Sequence, residues 1–159
     1  MSKQYILSEK IVFDQKPIAV PYNYRISYRV ASLLLIIKFC CSARSGCSLI
    51  KVNIISNMLA KKSSNSDVNS FKNSSGIVRF DPAVIRGLNY AMAEGLVEQQ
   101  KDGKFKMTSS GKEYVNEICK QNDLMIKEKE ILKRISTSIT EDKIKEIMAD
   151  WRYGYVENK

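Results

Sequence analysis

The side chains able to do chemistry in this chain are few. Four cysteines, Cys40, Cys41, Cys47 and Cys119, stand among 159 residues that include no histidine. Without an imidazole, Ser-His-Asp and Cys-His catalysis, histidine-bearing zinc sites and histidine proton shuttles all fall away. The cysteine spacing gives neither a C-x-x-C redox pair nor two metal knuckles, and reads as buried thiols in a reducing cytosol rather than a structural metal site. No G-x-x-x-x-G-K-[ST] loop is present to cradle a nucleotide phosphate. The expectation is a protein that is not an enzyme and holds no cofactor.

What remains is charge. Lys and Arg number 26 against 17 Asp and Glu, a formal net charge of +9, which points to an anionic partner. The excess is local: between Asp14 and Asp67 no acidic residue occurs, while Lys16, Arg25, Arg29, Lys38, Arg44, Lys51, Lys61 and Lys62 all fall inside that window. The remainder carries 18 basic and 17 acidic residues, so an electrostatic surface belongs to the front half. A solvated basic face is the plainer alternative. The candidate contacts to DNA or an acidic partner are Arg25, Arg29, Arg44, Lys51, Lys61 and Lys62, joined by Arg86, Asn89, Lys101 and Lys104 further on. Reversing Arg25 and Arg29 to Glu is expected to weaken such contacts and leave the fold intact.

The elements that must position these residues follow from periodicity and punctuation. Residues 1–21, with short apolar runs and then Pro17 and Pro21, read as an extended N-terminal segment. Tyr22–Cys41 predicts a helix, apolar nearly all round in its second half, with Arg25/Arg29 and Tyr24/Tyr28 on neighbouring stripes. Ser48 predicts the cap of a second helix to Lys62, with Leu49, Val52, Ile55 and Leu59 inward. Ser63–Ser75 reads as a polar loop or a weak helix anchored by Val68 and Phe71. Asp81-Pro82 is a cap followed by proline at the first helical position, and that helix should run to Glu94 and stop at Gly95. Leu96–Gln100 and Lys104–Met107 predict a hairpin around Asp102-Gly103, and Thr108 caps a helix to about Gln121. After it, residues 122–159 predict a helical extension, Asp123–Ile135 and then a helix opened by Ser138 or Thr140 with Ile144, Ile147, Met148 and Trp151 in its stripe.

The resulting fold class is mostly α with a small β-hairpin wing (α+β), a winged helix-turn-helix over residues 22–121 between an N-terminal extension and C-terminal helices. Its recognition helix would be Pro82–Glu94, with Arg86, Asn89 and Tyr90 outward. Arg86 could pair with guanine and Asn89 with adenine, but Gly87, Ala93 and Glu94 give that surface little attraction for phosphate. The one long apolar run, Val30–Cys41, is interrupted by Lys38 and is too short to span a bilayer. With no signal-peptide pattern, a soluble cytoplasmic protein without a membrane partner is expected.

The strings RISYRVASLLLIIKFC, VRFDPAVIRGLNYAMAEGLV and GKFKMTSSGKEYVNEI resemble the small middle component of bacterial three-component ABC-ATPase systems, as in Lamassu-type anti-phage defence. The resemblance covers roughly residues 22–120 and is most specific at Phe80, Asp81, Pro82 and Leu88, at E-G-L-V, and at the K-M-T-x-x-G exit of the hairpin. It implies a non-catalytic accessory subunit that bridges an SMC-like ATPase and a nuclease-like effector and contributes to DNA sensing without base specificity. Alternatively, the residues fit a stand-alone dimeric winged-helix DNA-binding transcriptional regulator.

Overall fold

The computed structural model describes residues 21–61 and 80–154, the side chains of 150–154 excepted. Residues 1–20 of the expected N-terminal segment, Lys16 among them, the Ser63–Ser75 stretch with Val68 and Phe71, Lys62 and the Trp151 side chain lie outside what is described. The described residues hold six α-helices, two short 3-10 turns (Tyr22–Tyr24 and Ser136–Ser138) and one two-stranded antiparallel sheet: α1 (Ile26–Cys40), α2 (Leu49–Ala60), α3 (Pro82–Ala93), β1 (Val97–Gln99), β2 (Phe105–Met107), α4 (Ser109–Lys120), α5 (Ile126–Ile135) and α6 (Glu141–Gly154). The fold is therefore mostly helical with a small β-hairpin, an α+β arrangement.

α1 is the centre. Val30 to Ile37 are buried without interruption, because α2, α3, α4 and α5 all pack around it. Leu34, Leu35 and Ile36 are fully enclosed, each worth about 1.5–3 kcal/mol of apolar burial. The helix begins four residues later than its periodicity suggested. Tyr22–Tyr24 form a 3-10 turn and Arg25 is extended, so Arg25/Arg29 and Tyr24/Tyr28 are not paired stripes of one helix. The Tyr22 ring instead meets Tyr28 edge-on, 5.2 Å between centroids.

α2 starts where Ser48 predicted, its hydroxyl accepting the Lys51 N–H at 3.2 Å. α3 starts at Asp81-Pro82: the Asp81 carboxylate accepts the Ala83 N–H at 2.9 Å. Its sequence-expected outward Gly87 is in fact buried against α1. A Cβ there would sit 2.7 Å from Leu33 Cδ1, so glycine allows the two helices to approach closely. Gly95, with φ +67°, ends α3 as its left-handed cap: the Leu96 N–H donates to the Ala91 carbonyl at 2.8 Å and the Gly95 N–H to Met92 at 3.0 Å.

The hairpin register pairs Val97 with Met107 and Gln99 with Phe105, around a turn in which Gly103 takes φ +81°. A third extended residue joins it: Cys47 and Phe105 exchange both backbone hydrogen bonds at 2.9 Å. Cys47 is also disulfide-bonded to Cys41. That corrects the expectation of free buried thiols for this pair, since the six-residue separation lets the Ser42–Gly46 loop fold back and bring the two Cα atoms to 5.5 Å. The T-x-x-G of the hairpin exit has a geometric reason. Thr108 Oγ1 donates to the Gly95 carbonyl at 2.6 Å and accepts the Gly111 N–H at 3.1 Å, while the Thr108 N–H donates to Leu96.

The C-terminal helices pack back on the same core, to which Leu132, Ile135, Ile139 and Ile144 belong. α6 opens after Thr140, whose hydroxyl accepts the Lys143 N–H. Ser138 bonds the Ile135 carbonyl instead, and Glu141 accepts the Ser48 N–H at 3.0 Å, tying α6 to the start of α2. Buried Lys129 is satisfied by the carbonyls of Ile118 and Gln121 at the end of α4, a cation where the helix dipole favours one.

Candidate partner interface

Folding scatters the acid-free window. α1 is 15 residues long, about 22 Å at 1.5 Å per residue, and it separates Arg25 at one end from Arg44 in the loop at the other. Both are exposed. Arg29 turns inward: its guanidinium lies 3.4 Å from the Asp81 carboxylate and 6.0 Å from the centre of the Tyr24 ring. Asp81 in turn donates its backbone N–H to Asn53 Oδ1, so Arg29 belongs to the joint between α1, α2 and α3. Lys38 donates to Asn116 of α4.

Lys51 is a correction. It is only 6% exposed, packed in the core near Cys40 and Glu141, and cannot contact DNA or a partner surface. Its burial lowers the ammonium's affinity for its proton, and the Glu141 carboxylate opposes that shift. Position 51 read as surface because the helix was assigned one apolar face. α2 buries Lys51, Val52, Asn53, Ile54 and Ile55 in succession, because core elements lie on several of its sides.

Lys61, at the end of α2, is exposed. On the hairpin turn Lys101 is exposed, whereas Lys104 pairs with Asp102 at 3.3 Å. The Lys104 backbone N–H and ammonium hold the Asp102 carboxyl below the usual carboxylate range. The turn therefore presents one cation free of that pair. Arg86 and Asn89 are both exposed on α3, the only two of the described candidate residues that the fold sets side by side on one helix face.

Tyr90, expected outward, is exposed beside them, and sequence reasoning missed two more apolar neighbours: Ile85 on the same outward surface of α3 and Phe80 just before it, all three more than two-fifths exposed. The signal was available, because once Val84, Leu88 and Ala91 take the inner face, an Ile is left facing solvent as well as the Tyr. A cavity of about 440 Å³ lies between α1, α2, α3 and α5, lined by Arg29, Lys127 and Arg134 but also by Glu128 and Glu130. Its mixed signs give it no single-sign field.

Among the described residues no group of three Cys, Asp or Glu side chains is placed to hold a metal ion, and no helix is long and apolar enough to cross a membrane. The Cys40 thiol, buried and donating to the Leu132 carbonyl, is pushed up to about 12 by desolvation, far from a reactive thiolate. Comparison with protein-family models, with the curated proteins and with solved structures finds no match to this chain.

Proposed function

We propose that this chain is a non-catalytic winged-helix accessory subunit of a cytoplasmic SMC-like/ABC ATPase complex of anti-phage defence, seated between the ATPase and its effector and contributing to DNA sensing. The outward face of α3 carries this reading. In a winged helix it is the helix that would enter the major groove, and here it offers Ile85, Tyr90 and one cation, Arg86. Exposed aromatic and apolar side chains around a single arginine suit the centre of a protein interface. A helix that held duplex DNA unaided would need more phosphate contacts. The winged-helix assignment draws support from the order α1, Cys47 bridge, α2, α3, hairpin, with Cys47 in the place of the first strand beside β2.

A second reading, the stand-alone dimeric DNA-binding regulator, is favoured by the exposed pair Arg86 and Asn89, whose side chains suit guanine and adenine edges. Co-expression with an SMC-like ATPase and its effector, taken from the genes on either side of this chain's own, separates the two. The subunit reading expects co-purification at moderate salt, lost in the Ile85→Asp, Tyr90→Asp double variant. It is refuted if the wild-type chain never co-purifies. A sequence-specific footprint on its own promoter would establish the regulator instead.

A further inference from the structure

Nine large apolar side chains among the described residues are substantially exposed, among them Tyr22, Tyr24 and Ile26 where the chain enters α1, Tyr114 on α4, and Leu124 and Ile126 where α4 turns into α5. Four of these six, Tyr22, Tyr114, Leu124 and Ile126, line one open groove of about 580 Å³. Its floor is Tyr28, Ala31, Ile118 and Met125. At 40–57% exposure the four exposed side chains leave on the order of 400 Å² of mostly apolar surface, the size of the largest patch on an ordinary monomer and often a functional one.

The charges in the groove identify the partner. Arg25 and Lys127 stand there with Asp123 and Glu128, two of each sign. Duplex DNA, an anionic bilayer or a strongly acidic protein gains nothing from a face with no net charge. A second copy of the same face does gain: apolar surface meets apolar surface, and a twofold axis lets cations lie opposite carboxylates without like-sign clashes.

We propose that this groove is the contact between two copies of this chain, related by a twofold axis and centred on Leu124 and Ile126. The inference is independent of the functional reading above and would hold for subunit or regulator alike. Sedimentation equilibrium of the full-length chain, from low to high micromolar, should show the mass rising from one chain to two. Leu124→Lys with Ile126→Lys changes two side chains that are already exposed, so the fold should persist by circular dichroism while dimerisation weakens by at least about tenfold, the loss of 1.4 kcal/mol of contact. Ile85→Lys, on α3, should leave dimerisation unchanged. If the double variant melts lower than wild type, Tyr22→Lys and Tyr114→Lys on other elements replace it. A chain that stays monomeric throughout the range overturns the proposal, as does a dimer indifferent to all four groove substitutions.

Discussion

Gly111→Ala is a substitution for which helix propensity and this structure give opposite signs. Gly111 lies in the first turn of α4, where alanine ordinarily improves helix stability by up to about 1 kcal/mol. Here a Cβ would overlap the Leu96 carbonyl oxygen and lie 3.0 Å from the carbonyl carbon, and both are backbone, so neither can rotate away. α4 would have to withdraw from the end of α3 by more than an ångström. Withdrawal breaks the Thr108 N–H to Leu96 bond at 3.1 Å and the Thr108 hydroxyl to Gly95 bond at 2.6 Å, about 1 kcal/mol each, with the strain of overpacking added at about 1–3 kcal/mol. The net expectation is a loss of about 2–4 kcal/mol, read as a lower urea midpoint with an unchanged denaturant slope. Gly87→Ala is the internal comparison, because its Cβ meets the flexible end of Leu33 and should cost less than Gly111→Ala. If Gly111→Ala proves as stable as wild type, the clamp between Thr108, Gly111 and the α3 terminus does not hold α4 as described.

Two further predictions concern buried ionisable groups. Lys51→Met should be neutral or stabilising at pH 7, since desolvation of the buried ammonium outweighs the pull of the nearby Glu141 carboxylate. The lowered folded-state affinity of Lys51 for its proton means that its penalty is full at neutral pH and is relieved as pH rises from the depressed folded value toward the ordinary 10.5. The stability of wild type relative to Lys51→Met should therefore rise with pH in that alkaline window, measured by urea titrations at successive pH values; a gap that widens instead would contradict the burial. Alkylation of the native protein at pH 8 without reductant should modify half-buried Cys119 and spare Cys40, with a Cys41–Cys47 cross-linked peptide recovered by mass spectrometry. Rapid native modification of Cys40 would mean that the α1–α5 contact is open.

The parts legible in the sequence were those fixed by neighbouring residues. Asp81-Pro82, Gly95, Asp102-Gly103 and Thr108 each act within about four positions, and α3, the hairpin and α4 lie within two residues of where those signals put them. The charge reading fared differently because pairing is set across long separations: Arg29 finds Asp81 52 residues away, and Lys38 finds Asn116 78 away. A run without carboxylates in sequence was therefore not a surface without them in space. This also changes the mutational probe. Arg29→Glu would place a carboxylate against Asp81 and disturb the α3 cap, so Arg25→Glu alone is the clean test of the exposed cations. The close approaches at Gly87 and Gly111 and the burial of Lys51 depend on which elements face each other, which periodicity along one helix does not state.

The Cys47 bridge makes β2 the middle strand of three extended segments, with β1 on its outer side. Mechanically, the hairpin is then not a free arm. A load applied at its tip, around Lys101, passes through the paired amides of Phe105 and Cys47 to the Cys41 end of α1, the helix against which α2, α3, α4 and α5 all pack. Hydrogen exchange would register this as slow exchange at the Phe105 and Cys47 amides and faster exchange at Lys106, whose amide lies in the two-stranded part. A partner gripping the turn would thus pull on the core of the molecule, and whatever α3 presents on its outer face would move with it as a single body.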